Sequence, residues 1–244
     1  MTKLFGLIGY PLSHSFSKHY FTQKFQREGI ADCVYELFPI EQIELFPGLI
    51  AKHPNTKGLN VTIPYKEKVL PYLNELSEAV KEIGACNCIK VQNSKLTAYN
   101  TDVIGFEESL KPLLKSHHTK ALVLGTGGAA KAVVWVLKKL GIEYSYVSRR
   151  SGEGVLSYDQ INEEMLHRYP LIINTTPLGM QPNTDTKPSL PYEAISSEHL
   201  CYDLVYNPVT TSFLAEADKR GATIKNGQEM LELQAEAAWA IWNS

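Results

Sequence analysis

Short apolar runs alternate along the chain with longer segments whose apolar positions recur at helical spacing. In the first half, apolar runs predict strands at 3–8, 33–38, 58–62, 87–91 and 96–100. A segment with helical periodicity at 18–28, closed by Gly29, predicts a helix between the first two strands. The polar residues 92–95 join the last two strands as a turn, which indicates a hairpin. This half therefore has the pattern of an α/β domain.

The second half alternates strands and helices more strictly. After a predicted helix at 102–115, apolar runs predict strands at 121–124, 144–147, 171–174, 200–205 and 222–225. Helical periodicity predicts helices at 129–140, 212–220 and 228–242. Ser157 and Gln160 have the spacing of a capping box and predict one more short helix. This order forms βαβ units, so the sequence predicts a second, wound sheet.

Composition places the chain among globular proteins that act on small molecules. It has 244 residues, of which 44% are hydrophobic and 20% charged, enough for two modest cores. The formal net charge of -2 provides no basic field, so we expect a small-molecule partner and no nucleic acid. No apolar stretch approaches the roughly 20 residues of a membrane helix, and the N-terminus lacks a signal-peptide layout. A cytoplasmic protein with no membrane partner is therefore expected.

Neither the cysteines nor the histidines predict a metal site. The four cysteines form no CxxC pair and are expected to be reduced, apolar residues: Cys33, Cys86, Cys88 and Cys201. The seven histidines show no ligand spacing. We expect His14 to pack within its loop, and His117 and His118 to lie in a polar linker.

A glycine-rich turn follows the predicted strand at 121–124. The string Gly125 to Ala132, GTGGAAKA, fits the G-x-G-x-x-A pattern of a dinucleotide-binding turn, with Ala130 in the third position. Gly125 permits the tight turn, and Gly127 allows backbone N–H groups to approach a pyrophosphate. The anion then meets the start of the helix at Gly128 and Ala129, where N–H groups point outward. The alternative is a strand-to-helix turn that is merely tight.

The residues after the next strand favour NADP over NAD. An NAD site usually has an acidic residue there to bind the ribose 2′-hydroxyl, whereas this chain has Ser148, Arg149 and Arg150. Guanidinium groups bind a 2′-phosphate through paired hydrogen bonds. Exposed arginines at this position are also common on ordinary surfaces.

Several polar residues follow predicted strands in the first half, and each has an ordinary structural explanation. Ser15 and Ser17 lie in the loop after the first strand, where Ser17 also suits a helix N-cap. Lys66 follows the strand at 58–62 and would usually be exposed. Asp102 follows the hairpin and suits the N-cap of the next helix. None of these residues is diagnostic alone.

Taken together, eight strings resemble the shikimate dehydrogenase family in order and spacing over nearly the whole chain. They are GYPLSHSFS (9–17), NVTIPYK (60–66), GACN (84–87), NTD (100–102), GTGGAAKA (125–132), NTTPLGM (174–180), DLVYNP (203–208) and GQEMLELQA (227–235). The resemblance implies a substrate-binding domain of residues 1–103 and 227–244 with a mixed sheet. A Rossmann-like NADP-binding domain would comprise 104–226, with the active site in the cleft and the C-terminal helix returning to the first domain.

The resemblance also implies an activity and a role for each matching residue. The activity is the NADP-dependent, reversible reduction of 3-dehydroshikimate to shikimate, in chorismate and aromatic amino-acid biosynthesis. Lys66 and Asp102 would form the catalytic pair. Substrate contacts would come from Ser15 and Ser17 on the carboxylate, from Thr62, Asn87 and Gln234 on the hydroxyls, and from Tyr206 lining the pocket. Further cofactor contacts would come from Thr175, Gly227 and Met230. The chain departs from the family at Cys88, where threonine is usual, and at 148–150, where the family commonly has Asn-Arg-Thr.

Ketone reduction suits this pair, because hydride addition builds negative charge on oxygen that an ammonium group stabilises and protonates. Two alternatives remain open from the sequence. One is a quinate/shikimate dehydrogenase that uses NAD or NADP. The other is a non-catalytic protein that senses NADP, which would have no need of Lys66 and Asp102 together. A monomer and a homodimer are both compatible with the sequence.

Overall fold

The computed structural model describes residues 2–12 and 15–244, and the chain divides into two compact units. One comprises Met1–Thr101 and Ala235–Ser244, and the other comprises Asp102–Gln234. Each unit is built around its own six-stranded sheet. The predicted fold class is confirmed: two α/β domains, with a C-terminal helix that returns to the first. The residues 13 and 14, and with them the packing expected for His14, lie outside the described part.

The first unit contains a mixed sheet with helices beside it. Its strands are β1 (Lys3–Gly9), β2 (Cys33–Pro39), β3 (Thr56–Val61), β4 (Glu75–Leu76), β5 (Cys88–Gln92) and β6 (Lys95–Tyr99), and its first helices are α1 (Phe16–Arg27), α2 (Phe46–Lys52) and α3 (Glu78–Ile83). The strand order is β2-β1-β3-β5-β6-β4. β1 is parallel to β2 and β3, whereas β5 is antiparallel to β3. The carboxyl ends of β1 and β3 and the start of β5 therefore lie at one edge of the sheet.

The second unit contains a parallel sheet. Its strands are β7 (Lys120–Leu124), β8 (Glu143–Ser148), β9 (Val155–Ser157), β10 (Leu171–Asn174), β11 (Leu200–Asp203) and β12 (Thr223–Lys225), and its helices are α4 (Asp102–Leu110), α5 (Gly128–Lys139), α6 (Glu163–Arg168), α7 (Ser212–Asp218) and the start of α8 (Gln228–Asn243). The strand order is β12-β11-β10-β7-β8-β9, and every pair is parallel. The winding direction reverses between β7 and β10, which is where doubly wound sheets bind ligands.

The end of α8 is sealed into the core of the first unit by aromatic packing. Trp242 stacks on Phe5 with ring centroids 5.1 Å apart, and its Nε1 donates to the Ile89 carbonyl over 3.0 Å. A Cβ at Gly58 would overlap the Trp242 indole, so only glycine leaves room for this ring. Burial of such large rings contributes strongly to stability.

The structure corrects three details of the predicted elements. The helix expected over 102–115 ends at Leu110, followed by a 3-10 turn at Lys111–Leu113 that contains Pro112. The capping box of Ser157 and Gln160 is present, but it holds a single 3-10 turn, Tyr158–Gln160, because Ile161 is already extended. The short helices α2, α3 and α6 and the strands β4 and β9 had no prediction, since each is too short to show a clear period. All four cysteines are buried and free.

Two histidines of the second unit are held neutral by their hydrogen bonds. His199 is buried, with Nδ1 accepting from the Ser196 N–H (3.0 Å) and Nε2 facing the Leu166 carbonyl (3.1 Å). His118 has the same arrangement, accepting from the Lys115 N–H and facing the Glu198 carbonyl. Nδ1 in each ring is an acceptor, so a second proton would break a hydrogen bond. Burial lowers the pKa of both side chains.

These depressed pKa values predict a loss of stability in mild acid. The unfolded chain takes up protons near pH 6.5 while the folded rings resist them, so the stabilisation is complete above that pH and is lost as the pH falls through the folded values. We expect the free energy of unfolding in urea to fall between about pH 6.5 and 5. The double variant His118→Gln/His199→Gln should show a flatter dependence, whereas His19→Gln, at an exposed position, should keep the wild-type slope. Parallel curves for all three proteins would contradict this.

Candidate active site

The two predicted serines begin helix α1. Ser15 has an extended backbone, and its Oγ accepts the Lys18 N–H over 3.3 Å, so Ser15 is the N-cap. The assignment of the cap to Ser17 is wrong: Ser17 is the second residue of the helix rather than part of the loop. Both serines are half-buried at the edge where β1 ends.

Thr62 and Lys66 follow β3 at the same edge. The Thr62 N–H donates to the Ile8 carbonyl over 3.0 Å, which joins the end of β3 to the end of β1. A Cβ at Gly9 would overlap the Thr62 methyl group, so the two segments touch. The Lys66 carbonyl accepts the Cys86 N–H over 2.7 Å, which holds Lys66 beside the segment that leads into β5. Lys66 is half-buried rather than fully exposed.

Asn87 is the centre of a buried hydrogen-bond network at this edge. Its Oδ1 accepts the Thr101 N–H (2.6 Å), and its Nδ2 donates to Thr101 Oγ1 (3.0 Å). Asn60 Nδ2 donates to the Asn87 carbonyl (3.3 Å). The Tyr35 hydroxyl donates to Asn60 Oδ1 (2.8 Å) and is hydrogen-bonded to Ser17. The network thus runs from Ser17 to Thr101, and burial raises the pKa of Tyr35 well above its ordinary value.

Sequence reasoning assigned no role to Tyr35 or Asn60. Asn60 lies within one of the eight strings, which was a signal, but its side chain was not singled out. Tyr35 lies in an alternating strand and carried no signal. Their contact depends on β1 lying between β2 and β3, which places Tyr35 and Asn60 on strands not adjacent in sequence.

Asp102 is the first residue of α4, so its carboxylate lies at a helix N-terminus instead of in the predicted cap position. One turn later, a Cβ at Gly105 would overlap the Met230 carbonyl and lie 3.0 Å from the Gln234 nitrogen. Helix α4 therefore crosses α8 closely. This crossing brings Asp102, Met230 and Gln234 into one region of the second unit.

The glycine turn has the geometry that a dinucleotide needs. Gly125 has a φ of +111°, and a Cβ there would lie 2.6 Å from Thr175 Oγ1. Thr175 Oγ1 in turn donates to the Leu124 carbonyl over 2.7 Å, which ties β10 to β7 at the switch point. Nothing lies within 4 Å of a Cβ built on Gly127 or Gly128, and no side chain caps α5. The first N–H groups of the helix are therefore open to an anion.

A cavity of about 390 Å³ opens at this turn. The structure brings Gly125, Gly127, Ser148, Arg149 and Thr175 together around it. Gly128 and Ala129 lie in the first turn of α5, and Arg150 is exposed beyond the cavity lining. These residues fit a dinucleotide phosphate, because they combine open backbone donors with a guanidinium and leave room where Cβ atoms would intrude.

A buried carboxylate organises the segments beside this cavity. Asp203 Oδ1 accepts from Asn174 Nδ2 (2.9 Å) and from the Val205 N–H (3.0 Å), and Oδ2 accepts from Thr211 Oγ1 (2.6 Å). Burial raises its pKa to about 6. The residues 204–211, which carry the exposed Tyr206, are thereby anchored at both ends. Sequence reasoning assigned no role to Asp203.

Gly227 is fixed against the same strand. Its N–H donates to the Val205 carbonyl over 3.2 Å, and a Cβ would overlap the Leu204 carbonyl. The start of α8, with Met230, therefore lies at the carboxyl edge of the parallel sheet. No helix in the described part of the chain is long and apolar enough to cross a membrane.

Comparison with known proteins assigns the family. Residues 7–89 match a family model described as the shikimate dehydrogenase substrate binding domain. A shikimate dehydrogenase (NADP(+)) from Caldicellulosiruptor bescii is 38% identical over 259 aligned residues, which cover 99% of this chain and 89% of the relative. The chain belongs to the shikimate dehydrogenase family.

Solved structures of shikimate dehydrogenases and of a quinate dehydrogenase have the same fold. Shikimate 5-dehydrogenase from Thermus thermophilus, in complex with NADP(H) and shikimate, has a TM-score of 0.86 at 30% identity and covers 99% of this chain and 93% of that one. Quinate dehydrogenase from Corynebacterium glutamicum, in complex with NAD, has a TM-score of 0.87 at 25% identity, with coverage of 99% and 93%. Both cofactors thus occur among relatives of this shikimate dehydrogenase family member.

Proposed function

We propose that this chain is an NADP-dependent shikimate dehydrogenase that interconverts 3-dehydroshikimate and shikimate. The first unit would bind the substrate, and the second would bind the cofactor. The observation that supports this most directly is the polar edge of the first sheet, where Ser15, Ser17, Thr62, Lys66 and Asn87 occur together. Such a row of hydroxyl, amide and ammonium groups suits a small polyhydroxylated acid.

The substrate would be held by groups that the fold has already oriented. Ser15 and Ser17 are proposed to donate to its carboxylate from the start of α1, and Thr62, Asn87 and Gln234 to bind its hydroxyls. The two hydrogen bonds between Asn87 and Thr101 fix the amide, so little side-chain entropy is lost on binding. Tyr206 is proposed to line the same pocket.

Lys66 and Asp102 are proposed as the catalytic residues. The nicotinamide supplies a hydride to the substrate carbonyl carbon when the cofactor is bound. The Lys66 ammonium then stabilises the developing negative charge on the substrate oxygen and donates a proton to it. Asp102 orients the ammonium, and the helix N-terminus on which it lies favours its charged form.

The cofactor would be held by the second unit alone. Its pyrophosphate would meet the N–H groups at Gly127, Gly128 and Ala129, and the adenosine would occupy the cavity beside Ser148 and Arg149. Arg149 and Arg150 are proposed to bind the 2′-phosphate, with Thr175 supporting the turn from β10. Gly227 and Met230 would lie near the nicotinamide.

The direct test is an assay of NADPH formation by the purified chain with shikimate. We expect turnover with shikimate and NADP to exceed turnover with quinate, and turnover with NADP to exceed that with NAD. Substantial quinate oxidation with NAD would favour the quinate/shikimate alternative, for which the Corynebacterium glutamicum enzyme is a precedent in fold and cofactor. Tight NADP binding without turnover on either acid would favour a sensor.

A further inference from the structure

The link between β8 and β9 is unusually short for parallel neighbours. Only residues 149–154 connect the two strands, and no helix lies among them. Parallel strands normally need a crossover of a dozen or more residues, usually a helix. Here the return is made by a tight turn in which Gly152 and Val155 exchange backbone hydrogen bonds, with Gly154 at a φ of +69°. The flank of the cofactor cavity beside β8 is thus formed by a loop and by β9.

The strand register brings a tyrosine to the position where NADP and NAD differ. Ser148 pairs with Ser157, so the next residues, Arg149 and Tyr158, follow neighbouring strands at the same edge. Arg149 stands where this fold meets the ribose 2′ position. Both Arg149 and Tyr158 line the cavity. Their charge interaction acts on the Tyr158 phenol, which places the hydroxyl near the guanidinium.

Tyr158 is held in place from both ends of its side chain. Its ring packs against the core of the second unit. Its backbone begins the 3-10 turn that the capping box fixes, in which Gln160 Oε1 accepts the Ser157 N–H over 2.8 Å. The Tyr158 hydroxyl makes no hydrogen bond to any residue in the described part of the chain. It is therefore a positioned donor that faces the cavity.

The charge around this hydroxyl favours an anion. The described residues that line the cavity include one cation, Arg149, and no carboxylate. A phenol donates a stronger hydrogen bond to a phosphate oxygen than to a neutral ribose hydroxyl. We propose that the Tyr158 hydroxyl, beside Arg149, donates a hydrogen bond to the 2′-phosphate of NADP and so contributes to selection of NADP over NAD. This inference rests on the cofactor site of the proposed function.

The test is to measure dissociation constants by titration calorimetry for NADP, NAD, 2′,5′-ADP and ADP, without substrate. Tyr158→Phe keeps the ring and removes only the hydroxyl. We expect it to weaken NADP and 2′,5′-ADP about tenfold or more, the range for a lost hydrogen bond to a charged group, and to leave NAD and ADP within about twofold. Tyr144→Phe, at a tyrosine of β8 outside the cavity lining, should leave all four unchanged.

Arg149→Gln separates the two proposals. A weakened NADP affinity in Arg149→Gln together with an unchanged NADP to NAD ratio in Tyr158→Phe would overturn the role of Tyr158 and leave the cofactor site standing. Equal weakening of NADP and NAD in Tyr158→Phe would also overturn it, because the hydroxyl would then not read the 2′-phosphate. If the wild-type chain binds neither NADP nor 2′,5′-ADP, both proposals fail.

Discussion

Lys66→Ala should lower kcat for shikimate oxidation by about 10²- to 10⁴-fold, the usual contribution of a positioned acid or base. The proposed ammonium contacts the substrate oxygen most strongly when that oxygen carries negative charge, so its loss should affect the transition state more than the ground state. KM for shikimate should therefore change only a few-fold. Steady-state kinetics with NADP saturating would measure both constants.

Lys68→Ala is the matched control for this variant. Lys68 lies two residues further along the same segment and is exposed. We expect its removal to leave kcat and KM near the wild-type values, which would show that the charge at 66 matters by its position. If Lys66→Ala kept near-normal turnover, or if both variants lost activity equally, the catalytic role of Lys66 would be wrong.

Asp203→Ala should produce the largest loss of stability among single substitutions in the second unit. Its carboxylate accepts hydrogen bonds from Asn174, Val205 and Thr211, and all three donors would be left unpaired. A buried donor without a partner costs about 1–3 kcal/mol, so the free energy of unfolding should fall by about 3 kcal/mol or more. Urea denaturation would measure it, and Asp218→Ala, at the exposed end of α7, should change little.

A second variant keeps this prediction testable if Asp203→Ala does not fold. Asp203→Asn retains one oxygen for the Asn174 and Val205 donors and never carries a charge. Burial raises the pKa of Asp203 from 3.8 to about 6, so the wild-type chain gains stability relative to this variant as the pH falls from above 6 towards 4. A difference between the two proteins that does not change with pH would contradict the buried, hydrogen-bonded carboxylate.

The NADP-binding turn could be predicted almost completely from the sequence. An apolar strand, a G-x-G-x-x-A string and an amphipathic helix are consecutive, and each acts through local backbone geometry. The structure has the strand, the left-handed Gly125 and the start of α5 at Gly128 as expected. The residues of the substrate edge were recognised through resemblance, because single serines, asparagines and lysines after strands carry no period.

The partners of these residues could not be predicted. Tyr35 reaches Asn60 only because β1 lies between β2 and β3, and Asp203 reaches Asn174 only because β11 pairs with β10. Likewise Ser15, rather than Ser17, caps α1, since the backbone conformation at the cap decides which hydroxyl meets the free N–H. These contacts depend on strand order, which local sequence does not encode.

Residue spacing within single segments was enough to establish the two α/β halves, the cofactor turn and the chemical types available for catalysis. The pairing of the polar groups, the burial of Asp203 and the six-residue return that leaves Tyr158 beside Arg149 became visible only in the folded chain. Hydrogen bonding and burial are set by residues distant along the chain, and a strand register one residue different would turn every side chain involved to the opposite face.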